Sequence, residues 1–192
     1  MDMYPRTDFP RNFLFRGDNP VSNQTFNLSS LFAALRTAAG KCGENLPEDF
    51  QFVDVDLENL SDPGYAQEIH YWRTHPGKGR LLKWPLLGSL RDVQHSAARD
   101  TLVASGEWAI EGSADHLEER LAATRSLLIN SSRPTIIFAH CNAGCDRTGE
   151  FIGSYMMSYL GYNITTAMGE PMCPRCALPT RLLAVAPGAR PT

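Results

Sequence analysis

One stretch, residues 134–155, constrains the fold more than any other part of this 192-residue chain. It opens with an apolar, β-branched run at 135–139, which predicts a short buried strand. A loop with two glycines follows at 140–149, and residues 150–160 have the pattern of a helix. A strand, a tight loop and a helix N-terminus in that order point several backbone N–H groups at one place, where the helix dipole favours an anion. The stretch therefore predicts a phosphate-binding loop.

The side chains of this loop fit phosphoryl transfer. Cys141 can act as a nucleophile, because a helix N-terminus and a nearby arginine can lower the pKa of a thiol from about 8.5 by several units. Arg147 offers a planar fork of donors that matches two phosphate oxygens. Thr148 can hydrogen-bond the sulfur, and Gly144 and Gly149 allow close approach of the backbone. These residue types predict a thiolate held beside a guanidinium.

The spacing Cys-x5-Arg-Thr, preceded by His140, resembles the signature of the cysteine-dependent phosphatases, the protein tyrosine and dual-specificity phosphatase superfamily. The resemblance implies that Cys141 attacks phosphorus, that Arg147 binds the phosphate, and that water hydrolyses a phosphocysteine intermediate. We expect no metal ion and no cofactor. It also implies a substrate-binding cradle made by Asn142, Ala143, Gly144, Cys145, Asp146, Arg147 and Thr148.

Alternating helices and strands predict an α/β fold, with a central, mostly parallel sheet flanked by helices, as in the tyrosine and dual-specificity phosphatases. We expect a single domain over 1–165 and a proline-rich, irregular tail over 166–192. Apolar patterns predict strands at 13–17, 50–57 and 81–88 and helices at 28–39, 65–73 and 114–129. The nucleophile would then lie at the carboxyl end of a strand, where open α/β sheets place their ligands.

The proton donor for the leaving oxygen is harder to identify from the sequence. Trp84-Pro85 resembles the Trp-Pro-Asp loop of tyrosine phosphatases, but Leu86 replaces the aspartate and Cys141 lies farther downstream than in that family. We therefore interpret that likeness as accidental. The family places its acid about thirty residues before the nucleophile, where this chain has two glutamates. The candidates by position are Glu107, Glu111, Asp100, Asp92 and Asp115.

Asp146 is a further candidate, because Cys-x4-Asp-Arg-Thr resembles the loops of the myotubularin and Sac lipid phosphatases. That resemblance implies that Asp146 is the general acid. The alternative interpretation is that Asp146 hydrogen-bonds the loop amides and fixes Arg147. A negative charge inside an anion site opposes the substrate, so we expect this carboxylate to face away from the phosphate or to be protonated.

The other cysteines suggest structural roles. Cys145 could trap an oxidised Cys141 as a disulfide, but packing is the interpretation we favour for so short a loop. Cys173 and Cys176 form one Cys-x2-Cys pair, whereas structural zinc requires four ligands and the chain has no second pair. We expect His140 to shape the environment of the nucleophile rather than to bind metal.

The composition of the chain limits which binding partners and which cellular compartment we expect for the protein. A net charge of −3 argues against general nucleic-acid binding. No apolar run approaches the ~18 residues of a membrane helix, and the polar N-terminus does not read as a signal peptide. Five cysteines without a secretory signal favour a reducing compartment, so we expect a cytoplasmic protein with free thiols.

Three functions remain open. The first is a phosphatase for phosphotyrosine or mixed phosphoproteins. The second is a phosphoinositide or inositol-phosphate phosphatase. Asp146 favours this function, whereas the lack of lysines in the loop argues against it. Lys78, Arg80 and Lys83 could compensate for the missing lysines. The third is an inactive phosphate-binding pseudophosphatase. A rhodanese-like sulfurtransferase also uses a cysteine in a cradle loop, but the Cys-x5-Arg-Thr-Gly run fits a phosphatase better.

Overall fold

A computed structural model describes residues 12–86, 116–169 and 183–184. The strands, in chain order, are β1 (Phe13–Gly17), β2 (Val21–Ser22), β3 (Thr25–Phe26), β4 (Gln51–Asp56), β5 (Arg80–Lys83), β6 (Thr135–His140) and β7 (Leu183–Ala184). The helices are α1 (Leu28–Lys41), α2 (Tyr65–Thr74), α3 (Leu117–Ile129), α4 (Asp146–Leu160) and α5 (Ile164–Gly169).

The main sheet has five strands in the order β5-β4-β6-β1-β7. The first four strands run parallel, and the short β7 pairs antiparallel with β1 at the edge. His140 at the end of β6 pairs with Asp56 of β4 on one side and with Gly17 of β1 on the other. Three neighbouring strands thus end at the same edge of the sheet. The predicted α/β class with a central parallel sheet flanked by helices is confirmed.

Alternate residues of the strands supply two separate cores, because successive side chains of a strand point to opposite faces. On β6, Ile137 and Ala139 pack with α3 and α4, whereas Ile136 and Phe138 face α1 and α2. The first core includes Leu14, Val53, Val55, Leu121, Leu128, Phe151, Ile152 and Tyr155, and the second includes Phe13, Phe15, Leu31, Leu35, Phe52 and Trp72. A helix layer therefore covers each face of the sheet.

The helix after the glycine loop begins earlier than the sequence suggests. It starts at Asp146 and not at 150, and Gly149 N donates to Cys145 O at 2.7 Å inside its first turn. Glycine weakens a helix but does not forbid one. The loop is consequently only five residues long, 141–145, and it brings Arg147 and Thr148 into the first turn of α4.

Two parts of the C-terminal stretch belong to regular structure. The predicted domain boundary at 165 falls inside α5, which begins at Ile164. Leu183 and Ala184 pair with Leu14 and Phe13 of β1. Within the described ranges, no helix is long and apolar enough to span a membrane.

Several sequence predictions concern residues outside the described ranges. These are the acid candidates Asp92, Asp100, Glu107, Glu111 and Asp115, and the pair Cys173 and Cys176.

Candidate functional site

Cys141 follows the last residue of β6 and precedes α4. Its side chain is only 2% exposed and packs into the core between the sheet and the α3–α4 layer. It carries a free thiol, so no disulfide joins it to Cys145. The 15-residue α4 begins five residues later, and the positive end of its dipole is directed at the loop. Strand, loop and helix thus have the arrangement predicted from the sequence.

The loop is seated on the end of β1. Gly144 has a φ of 65°, and a Cβ added there would lie 2.6 Å from the backbone carbonyl of Gly17. Arg16 donates from its guanidinium to Gly144 O at 2.8 Å, and Asn19 N donates to Asn142 O at 3.4 Å. Gly144 is therefore required both by backbone conformation and by the close approach of β1.

Arg147 lies in the first turn of α4, where an acidic side chain from another segment holds it. Its Nη1 donates to Asp62 Oδ2 at 2.5 Å and to Leu57 O at 3.3 Å. Burial alone lowers the pKa of Arg147, but the hydrogen bond to Asp62 and the charges of Cys141 and Asp62 outweigh it and raise that pKa. The guanidinium is held through one nitrogen, and no hydrogen bond from its other two nitrogens is seen among the described residues.

The contact with Arg147 also changes the pKa of Asp62. Burial alone raises the pKa of Asp62, but hydrogen bonds from Arg147 and from Asn59 N lower it below its ordinary value. The carboxylate is therefore ionised near neutral pH and forms an ion pair with Arg147.

A second guanidinium flanks the nucleophile from β1. Burial lowers the pKa of Arg16, and the electrostatic interaction with Cys141 acts in the opposite direction. The side chain still carries its charge near neutral pH, because an arginine is effectively always protonated. Arg16 and Arg147 thus bring positive charge to Cys141 from two different elements, in a site where an anion would be stabilised.

The remaining predicted loop residues divide between a buried and an exposed side. Thr148 is fully buried, and within the described part of the chain its hydroxyl has no hydrogen-bond partner, so the predicted bond to the sulfur is not made. Cys145 is buried and disulfide-bonded, so the expectation of free thiols is wrong for this residue. Its Sγ lies 3.2 Å from Ala143 O. Asn142, Ala143 and Asp146 are exposed. Asp146 is the acidic residue of the first turn of α4. The carboxylate that contacts Arg147 is that of Asp62, and not that of Asp146 as the alternative interpretation had it.

A network of buried ionisable groups lies behind the loop. His140 Nε2 is 3.1 Å from Glu68 Oε1 and 3.2 Å from Asp54 Oδ1, and all three side chains are fully buried. Trp72 Nε1 donates to Asp54 Oδ2 at 3.0 Å. Asp56 and Glu58, also fully buried, follow along the chain. The donor atoms of Asp54, Glu68 and His140 lie within 4.8 Å of one another, a spacing that a cation could span. The direct hydrogen bond between His140 and Glu68, however, places a proton between those two groups.

The basic residues considered for a polyanionic head group do not gather at the site. Arg80 pairs with Val53 at the start of β5, three residues before the edge where the loop lies. Lys78 precedes it in the chain. Lys83 is at the correct edge, but its ammonium forms an ion pair with Asp56 and lies 3.9 Å from the centroid of the Tyr65 ring.

The Trp-Pro segment runs along the edge of the sheet that carries the site. Trp84 N donates to Asp56 O at 2.8 Å, and Leu86 N donates to Leu57 O at 3.2 Å. The side chain of Leu86 is 1% exposed and belongs to the same core as Cys141. Leu86 thus occupies a buried apolar position close to the site, and its side chain cannot act as a general acid.

Sequence reasoning did not identify Arg16, Asn19, Asp62 or Glu68 as parts of the site. Asn19 connects two loops, because its amide donates to Glu58 Oε1 at 2.7 Å and to Pro63 O at 2.8 Å. The sequence contained a signal for both charged residues. Arg16 is the second-last residue of the strand predicted at 13–17, and Asp62 lies in an Asp-Pro-Gly turn after the strand predicted at 50–57. Both would have followed from aligning the carboxyl ends of parallel strands at one edge.

Neither a protein-family model nor a curated protein matches the chain. What the site can do follows from its own geometry: a buried thiol, two guanidiniums and the N-terminus of a helix converge on one short loop. That arrangement can bind a tetrahedral oxyanion and present a sulfur nucleophile to it.

Proposed function

We propose that the protein is a cysteine-dependent phosphomonoesterase that acts on phosphorylated proteins, as a tyrosine or dual-specificity phosphatase. The observation that supports this most is the position of Cys141 at the carboxyl end of a central parallel strand, with Arg147 in the first turn of the following helix. The His140-Cys141-x5-Arg147-Thr148 spacing resembles that superfamily, and the fold class is the one that the resemblance implies.

The proposed reaction has two steps. The Cys141 thiolate attacks phosphorus, a P–S bond forms, the P–O bond to the leaving group breaks, and the leaving oxygen takes a proton. Water then attacks the phosphocysteine, the P–S bond breaks, and inorganic phosphate and the thiolate are released. Arg147 and the loop amides bind the equatorial oxygens, on which charge is spread in the transition state.

The proton donor in this scheme is proposed to be Asp146. Its side chain is exposed at the start of α4, and this role requires that it reach a leaving oxygen outside the cradle. An acid matters most when the leaving group is a poor one. We expect Asp146→Asn to slow hydrolysis of an alkyl phosphate at least tenfold more than hydrolysis of an activated aryl phosphate. Equal losses on the two substrates would show that the acid lies elsewhere in the chain.

The position of the basic residues favours a phosphoprotein over a phosphoinositide. Arg80 lies about 10 Å from the site edge, given ~3.3 Å per residue along a strand, and Lys83 is already paired with a buried carboxylate. Among the described residues, a polyanionic head group would therefore find few cations near the loop other than Arg147 and Arg16.

The test is a substrate panel of a phosphotyrosyl peptide, a phosphoseryl peptide and phosphoinositides, run with the wild type and with Cys141→Ser. We expect turnover of the phosphotyrosyl peptide by the wild type, and binding of it without turnover by Cys141→Ser. Preferential turnover of phosphoinositides would replace the proposed substrate class. Binding without turnover by the wild type would identify a pseudophosphatase, and undiminished turnover by Cys141→Ser would refute the mechanism.

A further inference from the structure

We propose that Glu68 is a positioning residue that, together with Asp54, clamps the imidazole of His140 and so fixes the end of β6 from which Cys141 projects. This inference rests on the proposed function for its catalytic consequence. The clamp itself rests on contacts among fully buried side chains of three elements, α2, β4 and β6.

The polar contacts of the His140 imidazole are all made by one of its two ring nitrogens. Nε2 faces Glu68 Oε1 at 3.1 Å and Asp54 Oδ1 at 3.2 Å, whereas Nδ1 is buried with no hydrogen-bond partner in the described part of the chain. The ring also stacks on Phe138, with centroids 5.3 Å apart. The position of the imidazole is thus set by the two carboxylates and by one aromatic neighbour.

Helix α2 makes the clamp rigid through two residues on one face. Glu68 and Trp72 are four positions apart, so they project from the same side of the helix. Glu68 contacts His140 while Trp72 Nε1 donates to the other oxygen of Asp54 at 3.0 Å. Each carboxylate of the clamp is therefore attached to α2, either as part of the helix or through the indole.

Charge gives the clamp a second effect on the nucleophile. Burial alone lowers the pKa of His140, but the charges of Glu68 and Asp54 outweigh it and raise that pKa well above its ordinary value. Burial and the charge of Asp54 raise the pKa of Glu68 to about 9, and His140 acts against them. Asp56 and Glu58 are the other carboxylates that act on these two groups. The hydrogen-bonded pair of His140 and Glu68 therefore keeps a proton near neutral pH, one residue before Cys141.

Two substitutions separate the geometry of the clamp from its charge. Glu68→Gln keeps an oxygen that can accept from Nε2 but removes the ionisable group. Glu68→Leu keeps most of the volume and removes the acceptor. Glu118→Gln, the same chemical change on the exposed side of α3, is the matched control. The readouts are the protonation of His140 by NMR with ¹⁵N-labelled histidine, the rate of Cys141 alkylation by iodoacetamide, and the pH profile of kcat/KM for a phosphotyrosyl peptide.

We expect Glu68→Gln to match the wild type within threefold in kcat/KM at pH 6. Its His140 should lose the proton at a lower pH than in the wild type, and its kcat/KM should decline as pH rises through that lower pKa. Its Cys141 should be alkylated more slowly than that of the wild type at neutral pH, because a thiol without a nearby cation is less ionised. Glu68→Leu should lose at least tenfold in kcat/KM at every pH, and Glu118→Gln should be unchanged. The inference is overturned if His140 titrates identically in the wild type and in Glu68→Gln, or if their pH profiles superpose.

Two further outcomes are distinguishable. If the wild type hydrolyses no phosphate ester, the proposed function fails, while the NMR titration and the alkylation rate still decide whether the clamp exists. If a chelator lowers the melting temperature of the wild type but not that of Glu68→Gln, the three side chains hold a cation instead of a proton, and the inference is also overturned.

Discussion

At the scale of single residues, the site depends on how Arg147 is held. A guanidinium has many rotamers, and it contributes to anion binding only if its fork is fixed towards the loop. Asp62 provides that constraint from a turn 85 positions away in sequence, through an ion pair to Nη1. The pair uses Nη1, so bidentate binding of two phosphate oxygens would have to use Nη2 and Nε.

We predict that Asp62→Asn lowers kcat/KM about tenfold, because a hydrogen bond between charged groups at a partly exposed position contributes roughly 1–1.5 kcal/mol. The measurement is steady-state hydrolysis of a phosphotyrosyl peptide. Asp49→Asn is the control, because Asp49 forms a similar ion pair with Arg133 on the exposed surface. Equal activity of the two variants would show that Asp62 does not orient Arg147.

At the scale of elements, the functional unit is the strand–loop–helix formed by β6, residues 141–145 and α4, resting on β1. The strand and the presence of the helix were predictable, because apolar runs of different period flank a glycine loop. The start of α4 was not, since Gly149 has the signature of a loop and only backbone hydrogen bonding shows it to be helical. Arg16 was missed because its role depends on which strands are neighbours, a tertiary property.

We predict that Gly144→Ala destabilises the protein by about 1–3 kcal/mol and displaces the loop, because alanine disfavours positive φ and its Cβ would meet the backbone of Gly17. Activity should fall at least tenfold. The measurements are chemical denaturation and binding of inorganic phosphate.

Gly153→Ala provides the control for that substitution. Gly153 lies within α4 with open space around its Cβ position, so alanine should stabilise the protein by roughly 0.5–1 kcal/mol and leave activity unchanged. A Gly144→Ala protein as stable and active as Gly153→Ala would mean that the loop does not need the left-handed conformation.

At the scale of the whole molecule, the sheet divides the protein into an apolar core on the α3–α4 side and a core on the α1–α2 side that also contains charged groups. The alternation of apolar residues predicted the sheet and its helical layers, as the fold confirms. It could not predict that Asp54, Asp56 and Glu68 are buried, because alternating acidic residues at 54 and 56 have the pattern of a half-exposed strand. The burial of Asp54 and Asp56 follows from the position of β4 between β5 and β6, and from coverage by α2, which carries Glu68.

The buried acids make stability depend on pH. The pKa of Glu68 is raised to about 9, and that of His140 is raised as well, so the folded protein binds more protons than the unfolded chain between pH 6.5 and 9. For such groups, stability is greatest at low pH and is lost as pH rises through the folded-state pKa. We predict that the free energy of unfolding falls over this window by up to about 1.4 kcal/mol per pH unit for each such proton.

Urea denaturation at half-unit pH steps from 6 to 9 measures that slope. Glu68→Gln should reduce the slope by one proton or more, because Glu68 no longer titrates and the pKa of His140 is no longer raised by it. Parallel slopes for the two proteins would contradict the raised pKa of Glu68.

The most direct test of the central claim is to identify the covalent intermediate. The wild type is mixed with a phosphotyrosyl peptide, quenched in acid within milliseconds, and digested for peptide mass spectrometry. We predict one phosphoryl group on the peptide that contains Cys141, and none on that peptide in Cys141→Ser. Two results would contradict the assignment of Cys141 as the nucleophile. One is turnover with the phosphoryl group on another side chain. The other is a Cys141 peptide that is never modified under conditions in which product forms in a burst.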